Sequence, residues 1–414
     1  MIDIAVLGHG TVGSGVLEVF TKNHKSIISK AGEDMRIKYI LDRREFPGLP
    51  YADRFVKSFD PIISDPDVRV VVEVMGGLDP AFDYVSRCLK SGKSVVTSNK
   101  ELVAAYGDVL LALAKEHNVN FLFEASVGGG IPIIRPLSQC LAANEIRSIA
   151  GILNGTTNFI LTKMIHEHMG FDEALALAQK LGYAERDPTA DVEGMDACRK
   201  ICILASLAFG RHVYPKDVHT EGITALTPED VAYAAAWGGV IKLIGWVRKM
   251  PDSRIAALVS PALIHRESQL ANVDDVFNGI LVRGDATGDV VFYGRGAGKL
   301  PTASAVVADV IDAVKHLKAR KYLFWQPAQA GYLWDYRLVP ETFFVRVRGH
   351  SRAAVIREAE TLFGKVTEVV RPDMPQGEGA FITPQLPEGE IRRALDTFAS
   401  YDDTVLSTIR ILDY

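Results

Sequence analysis

The sequence predicts an α/β protein: a doubly wound parallel sheet at the N-terminus, an α+β region in the middle and a small βαββαβ module at the end. Three observations carry this. Over the first 125 residues, short apolar runs such as 2–7 and 68–75 alternate with stretches of helical spacing. Strands that are apolar on both faces and separated by helices belong to a parallel sheet covered on two sides. That alternation is lost after residue 145, and the last 70 residues reset to a strand–helix–strand–strand–helix–strand series.

Residues 2–7 form the first strand and end in glycines, and residues 12–28 have the spacing of one amphipathic helix. Further strands are expected at 36–41, 68–75, 94–97 and 119–123, with a helix over 80–89 and another running towards His117. Ser98 followed by Glu101 reads as a capping box opening that second helix. In the middle, a strand over 145–153 precedes helices near 158–166, 172–181, 195–209 and 233–243. Short strands within 277–294 lead to a strong helix over 303–318. Residues 325–340, rich in Pro, Gly and aromatics, read as a connection. Strands from Phe343, near 366–370, at 379–383 and at 405–412, with helices over 353–363 and 388–398, make the order of a ferredoxin-like module.

At 414 residues the chain is expected to hold two or three domains. Lys and Arg number 46 against 51 Asp and Glu, so no broad basic field exists and nucleic acid is an unsuited partner. Four cysteines in this length make no disulfide framework. Cys198 and Cys202 stand four apart in a helical pattern without a histidine cluster, which favours core thiols over a metal pair. No run approaches the roughly 18 apolar residues of a membrane span, and the start lacks the regions of a signal peptide. The expected address is the cytoplasm.

Gly8-His9-Gly10-Thr11-Val12-Gly13 follows the first strand and opens the first helix. The three glycines suit a tight turn, a close approach of backbone to a pyrophosphate, and close helix–strand packing. Unpaired N–H groups at the helix start complete a Rossmann-type dinucleotide site. Asp42, at the end of the second strand, could hold a ribose 2′-hydroxyl as in NAD sites. Arg43 and Arg44 could instead pair with the 2′-phosphate of NADP. The reading leans to NADP and leaves both cofactors open.

Four further features suit chemistry. Thr97-Ser98-Asn99-Lys100 lies past a strand end, where ligands of such sheets sit. Glu124 runs into the pliable 125–130 loop near the same edge. Glu185 and Asp191 lie in a polar segment between helices. Asp196 and Lys200 are one helical turn apart and share a face. Lys200 has Ile203, Leu204 and Leu207 on its own side, so it must snorkel out or be paired, with Asp196 as the available partner. Burial and a carboxylate together tune an amine for proton exchange with an alcohol or carbonyl oxygen. A purely structural ion pair is the alternative. Lys100 and Lys200 fall in separate expected domains, so an active site using both would be assembled at their junction.

These strings resemble homoserine dehydrogenase: GHGTVGSGV at 8–16, VTSNKELVA at 96–104, FEASVGGGIPII at 123–134, GILNGTTNFI at 151–160, LGYAERDPTADVEGMDACRKICILA at 181–205 and GAGKLPTASAVVADV at 296–310. The C-terminal module is similar to the ACT regulatory module often appended to this family. The resemblance implies reversible oxidation of L-homoserine to L-aspartate 4-semialdehyde with NAD or NADP, towards threonine, methionine and isoleucine. It puts catalytic lysines at Lys100 and Lys200 and substrate-orienting carboxylates at Glu185, Asp191 and Asp196. Gly155, Thr156 and Tyr183 match positions lining the substrate. A sodium ion held mainly by backbone carbonyls falls on Glu124, Val127, Gly129 and Ile131. The implied domains are 1–135 with a return helix near 303–322, a substrate-binding and dimerisation domain at 136–302, a linker at 323–342, and the ACT-like module at 343–414. A homodimer or homotetramer is implied, with an amino-acid effector at the module.

Two departures stand out. His9 replaces the apolar or aromatic residue usual in the fingerprint, which touches the pyrophosphate edge. Gly349-His350-Ser351-Arg352-Ala353 replaces the usual ligand loop of the module, leaving another amino acid than threonine, or an oligomerisation surface, as its role. Other two-domain dehydrogenases and a non-catalytic cofactor-binding sensor are the competing classes.

Overall fold

A computed structural model describes residues 1–319, 323–398 and 403–414. The chain divides into two compact units. The first comprises Met1–Glu145, Cys202–Pro215 and Gly294–Gln329, the second Ile146–Ile201, Lys216–Tyr293 and Ala330–Tyr414. Among the described residues no helix is long and apolar enough to cross a membrane.

The first unit opens with β1 (Ile2–Leu7), α1 (Thr11–Lys22), α2 (His24–Ala31), β2 (Met35–Leu41), β3 (Phe55–Val56) and α3 (Asp60–Ser64). It continues with β4 (Val68–Glu73), α4 (Ala81–Lys90), β5 (Ser94–Thr97), α5 (Lys100–Glu116) and β6 (Phe121–Leu122). Its sheet has the order β3-β2-β1-β4-β5-β6 with every pair parallel. The order reverses at β1, so the loops after β1 and β4 flank the switch point where such sheets bind ligands. The single helix expected over 12–28 is two helices. Asn23 leaves helical geometry at φ −106° and its N–H bonds back to the Val19 carbonyl at 3.0 Å, closing α1. The expected capping box is also displaced. Asn99, not Ser98, caps α5, its side chain accepting from the Leu102 N–H, because Ser98 is still tied to the sheet through the Glu73 carbonyl.

The chain then forms β7 (Ile146–Ile152), α6 (Gly155–His166), α7 (Phe171–Lys180), α8 (Thr189–Val192), α9 (Met195–Phe209), β8 (His219–Thr220) and α10 (Pro228–Trp237). Long strands follow: β9 (Gly239–Lys249), β10 (Ile255–His265), β11 (Phe277–Gly284) and β12 (Gly288–Arg295). The helix expected over 233–243 ends at Trp237. Gly238 adopts φ +90°, and β9 starts beside it. Both faces of β9 and β10 are largely buried, so neither shows the alternation that marks a strand in sequence, and β10 was not anticipated.

The strong helix expected over 303–318 is α11 (Lys299–Lys315), which belongs to the first unit. The end of the expected return helix, residues 320–322, lies outside the described residues. Gly15 of α1 lets α11 approach closely: a Cβ there would lie 2.8 Å from the Lys299 carbonyl oxygen and 3.0 Å from the Ala303 Cβ. The expected connection at 325–340 is partly anchored, since Trp325 is buried in the first unit and its indole N–H donates to His212 Nδ1 at 3.0 Å.

The C-terminal segment contains β13 (Pro340–Arg348), α12 (Arg352–Phe363), β14 (Thr367–Glu368), β15 (Glu378–Ile382), β16 (Leu386–Pro387), α13 (Glu388–Phe398) and β17 (Thr404–Ile411). Its strands lie in the order β17-β13-β15-β14, over a core of Phe343, Val345, Val347, Phe381, Ile391 and Phe398. Residues 343–414 do not form a unit of their own. β17 pairs parallel to β10 through Ala262↔Arg410 and Leu263↔Ile411, giving one sheet of eleven strands among the described residues. Leu412 and Val339 join the core around Trp246 and Leu258.

Gly15→Val is expected to overpack the α1–α11 contact and lower stability by about 1–3 kcal/mol. Urea denaturation would read this as a lower midpoint at unchanged slope. A midpoint equal to the wild type would mean that α11 does not depend on that close approach.

Candidate active site

In the first unit, the turn after β1 is built for backbone contact with a ligand. Gly8 sits at φ +101°, a conformation that disfavours side chains. Gly13 faces the Gly8 carbonyl so closely that no Cβ fits, whereas a Cβ on Gly10 would meet nothing within 4 Å. Thr11 and Val12 begin α1, which has no side-chain cap. Its first-turn N–H groups therefore have no side-chain acceptor and suit a pyrophosphate. The residues present fit a dinucleotide.

Beside this turn, the Asp42 carboxylate accepts from the His9 N–H at 2.8 Å and from the Arg44 side chain at 3.0 and 3.1 Å. Arg44 also donates to the His9 carbonyl at 3.0 Å. The Arg44 guanidinium holds the Asp42 carboxyl well below the usual carboxylate range. Arg43 remains exposed. The His9 ring is buried among Phe46, Tyr51 and Phe55, with ring centroids 4.6, 5.8 and 5.1 Å away. The departure at this position thus fills an aromatic cluster, and burial lowers the pKa of the imidazole.

The ends of β4 and β5 are joined by a residue the sequence reading missed. Glu73 is fully buried and accepts from the N–H groups of Met75 and Gly76 and from the Thr97 hydroxyl at 2.6 Å. Burial raises its pKa. Thr97 accepts in turn from the Asn99 N–H, and the Asn99 amide donates to the Gly77 carbonyl at 2.6 Å. Lys100, the first residue of α5, follows directly on this lattice and is half-buried. A lone acid closing the apolar run 68–73 is the signal that could have identified Glu73.

Glu124 is buried, and its carboxylate accepts from the N–H groups of Ile133, Ile134 and Arg135 and from the Arg135 side chain. Its own N–H donates to Asp309, whose carboxyl burial pushes up to about 7. A carboxylate so committed leaves only backbone oxygens for the expected cation. Gly129 adopts φ +57°, and the 128–131 turn is closed by the Ile131 N–H on the Gly128 carbonyl. Val127 and Ile131 are buried in that loop. Among the described residues no group of His, Cys, Asp and Glu side chains could hold a metal.

The second unit gathers the remaining polar residues at the C-terminal end of β7. Lys200 is buried, and its Nζ donates to Asp196 at 2.8 Å and to the Leu153 carbonyl at 2.7 Å. The Asn154 amide donates to Asp191 at 2.7 Å and to Asp196 at 2.9 Å, while its oxygen caps α6 through the Thr157 N–H. Asn154 thus links Asp191, Asp196 and the α6 N-terminus, and sequence reasoning had not singled it out. Its position between a strand and Gly155-Thr-Thr was the available signal. Gly155 lies against the Val276 carbonyl, where a Cβ would come within 2.9 Å. The Thr156 hydroxyl donates to the Tyr183 carbonyl at 2.7 Å, tying the 181–185 turn to α6. The exposed Tyr183 ring packs on Phe159 with centroids 5.0 Å apart. Glu185 stands apart from this network: it is exposed, and its backbone carbonyl accepts from Gln179.

A parallel sheet with a glycine fingerprint, together with a buried lysine–carboxylate cluster, defines a nicotinamide-dependent oxidoreductase. Residues 8–124 match the family model described as homoserine dehydrogenase, NAD binding domain, and residues 132–311 match that of homoserine dehydrogenase. The chain is 48% identical to a homoserine dehydrogenase of Synechocystis sp. over 76% of this chain and 73% of that one. It is 43% identical to that of Bacillus subtilis over 77% and 74% respectively. The crystal structure of a homoserine dehydrogenase from Thiobacillus denitrificans superposes with a TM-score of 0.91 at 37% identity, covering 100% of this chain and 98% of that one. A hyperthermophilic archaeal homoserine dehydrogenase in complex with NADPH gives 0.65 at 31% identity, over 75% and 97%. The chain belongs to the homoserine dehydrogenase family. Its activity is the NAD(P)-dependent oxidation of L-homoserine to L-aspartate 4-semialdehyde, a step of amino-acid biosynthesis.

Asn154→Ala is expected to cost about 1–2 kcal/mol through loss of the α6 cap. Because Asp191 and Asp196 lose their common donor, KM for homoserine should rise as well. Denaturation and steady-state kinetics on one preparation would separate the two effects; an unchanged KM would show that Asn154 acts only as a cap.

Proposed function

We propose that Lys200 moves the proton of the substrate hydroxyl in this oxidation. The observation that supports it most directly is a buried ammonium fixed by Asp196 at 2.8 Å and the Leu153 carbonyl at 2.7 Å, within the same cluster as Asp191. A bound nicotinamide supplies the hydride acceptor. In the reductive direction the Lys200 ammonium would give a proton to the carbonyl oxygen as the carbon takes up hydride; in the oxidation Lys200 would first release that proton to solvent and then, as the amine, take the hydroxyl proton. Asp196 favours the charged form of that amine. Asp191 would receive the substrate ammonium, with Glu185 an outer acid on the exposed 181–185 turn. The uncapped first-turn N–H groups of Gly155 and Thr156 suit its carboxylate, with Tyr183 lining the same side. Lys100, at the start of α5 beside the Glu73–Thr97–Asn99 lattice, would act as the second lysine from the cofactor-binding unit. Thr97 and Ser98 would border the nicotinamide end of the cofactor.

NADP is the cofactor this chain would prefer. Both Asp42 oxygens already take protein donors, so the charge that would repel a 2′-phosphate is offset by Arg44, while Arg43 stays exposed next to it. The archaeal relative in complex with NADPH supports the same choice. A sodium ion on the carbonyls of Glu124, Val127, Gly129 and Ile131 would brace the loop and take no part in the chemistry. The order β13-α12-β14-β15-β16-α13-β17, a βαββαβ series with one extra two-residue strand, supports an ACT-like module with an amino-acid effector, and a homodimer or homotetramer in the cytoplasm is the proposed assembly and address.

Lys200→Met is expected to lower kcat by about 10²–10⁴-fold while NADPH binding, followed by its fluorescence, is unchanged. A folded variant turning over at near the wild-type rate would remove Lys200 from the chemistry. Arg43→Ala should raise KM for NADP about tenfold, as loss of one charge-assisted contact, and leave KM for NAD as it is. Equal effects on the two cofactors would assign Arg43 to neither phosphate.

A further inference from the structure

We infer that Glu221 is a positioning residue for the substrate-binding acids, carrying the placement of the C-terminal βαββαβ segment into the turn that holds Asp191 and Asp196. The inference rests on the assignment of those two acids to the substrate.

Glu221 follows β8 and meets two guanidinium groups of the C-terminal segment. Its carboxylate accepts from Arg410 at 2.6 and 2.9 Å, from Arg392 at 2.7 Å, and shares a 2.7 Å contact with the His219 ring. Glu388, at the start of α13, takes the same two arginines: Arg410 at 2.6 and 2.9 Å and Arg392 at 2.7 Å. Arg410 and Glu388 are fully buried, whereas the Glu221 and Arg392 side chains are 31% and 40% exposed, so a desolvated pair is flanked by two partners that reach solvent. The buried Arg410 guanidinium is held by both carboxylates, and losing an acceptor there is costly because a buried charge left without its partner is destabilising. Docking of the C-terminal segment does not itself need Glu221. β17 already pairs with β10, and Glu388 already binds Arg410 from within the segment.

What Glu221 adds is a link to the site. The segment around it lies in backbone contact with residues 192–194. A Cβ on Gly222 would collide with the Val192 carbonyl and lie 2.6 Å from the Glu193 Cα. Gly194, at φ +79°, would place a Cβ 3.0 Å from Thr220 and 3.3 Å from the Glu221 carbonyl. The Ile223 N–H donates to the Val192 carbonyl at 2.8 Å, and the Thr224 hydroxyl to Glu193 at 3.1 Å. Asp191 ends one side of this turn, and the Gly194 N–H bonds to its carbonyl at 2.9 Å. Asp196 opens α9 on the other side. The two segments meet through close backbone approaches at Gly222 and Gly194, the Ile223–Val192 hydrogen bond and the Thr224–Glu193 contact, so a shift of Glu221 bears on the turn between both acids. The Arg248–Glu341 pair also joins the C-terminal segment to β9, but its partners lie outside both segments.

The test uses the full chain. Glu221→Gln should raise KM for homoserine roughly three- to thirtyfold, with KM for NADP unchanged. Glu341→Gln, the comparison variant, should lower the melting temperature without moving either KM. If Glu221→Gln behaves like Glu341→Gln, losing stability while KM for homoserine stays at the wild-type value, the inference is overturned. Should Glu221→Gln not fold, Arg392→Gln removes one donor at a half-exposed position. A smaller rise of the same KM then supports the inference, and an unchanged KM refutes it. Asp191→Asn in the same assay separates the two levels. No effect there would refute the substrate assignment itself, whereas an effect there with none at Glu221 would refute only the link.

Discussion

Lys200 sits on α9 among Ala197, Ile201 and Leu204, all buried, where an ammonium is stable only if acceptors are fixed around it. Those acceptors come from two places: Asp196 one turn back on the same helix, and the Leu153 carbonyl past the end of β7. The requirement therefore sets the approach of α9 to β7. Once β7 and α9 are in register, Asn154 reaches both Asp191 and Asp196 and also caps α6. One buried charge thus organises a strand end, two helix starts and the turn between them. The same groups are the ones a small polar substrate would need.

The first unit solves an equivalent problem with carboxylates. Glu73, Asp42 and Glu124 each end a strand or follow one; Glu73 and Glu124 accept backbone N–H groups of the chain beyond them, and Asp42 accepts the Arg44 N–H beyond it and the His9 N–H of the loop after β1. A carboxylate with several N–H donors stiffens a loop more than a neutral side chain could, since the charge strengthens each bond. The loops after β1 and β4, which flank the ligand-binding edge of the sheet, are therefore held before any cofactor arrives. Preformed geometry of this kind lowers the ordering cost of binding.

In the second unit, the strand that ends at the Lys200 cluster and the C-terminal segment share one sheet. An open edge on β17 would be a pairing hazard, and β10 covers it. Buried ion pairs then mark the seam: Arg410 with Glu388 and Glu221, Arg346 with Asp230, and Arg248 with Glu341. Charged pairs discriminate between registers more than they add stability, because a slipped strand would leave charges unpaired in an apolar setting.

Much of this was legible in one dimension. The nucleotide-binding sheet showed itself because parallel strands are continuous apolar runs, and the fingerprint glycines because only glycine serves their φ values and close approaches. Lys200 and Asp196 could be paired from helical spacing alone, and the C-terminal strands and helices fell within a few residues of their observed ends. Hidden from the sequence were β10, the helix break at Asn23, the cap at Asn99, and the roles of Glu73, Asn154 and Glu221. Each of these depends on a partner distant in sequence: β10 on β9 and β17, Glu73 on Thr97, Asn154 on Asp191 and Asp196, Glu221 on Arg410. Local periodicity located most helices and strands and marked out the residues proposed for the chemistry. Only the tertiary structure decided which carboxylate meets which donor and that the C-terminal segment extends the catalytic sheet, because hydrogen bonds and ion pairs between remote residues leave no periodic trace in the chain.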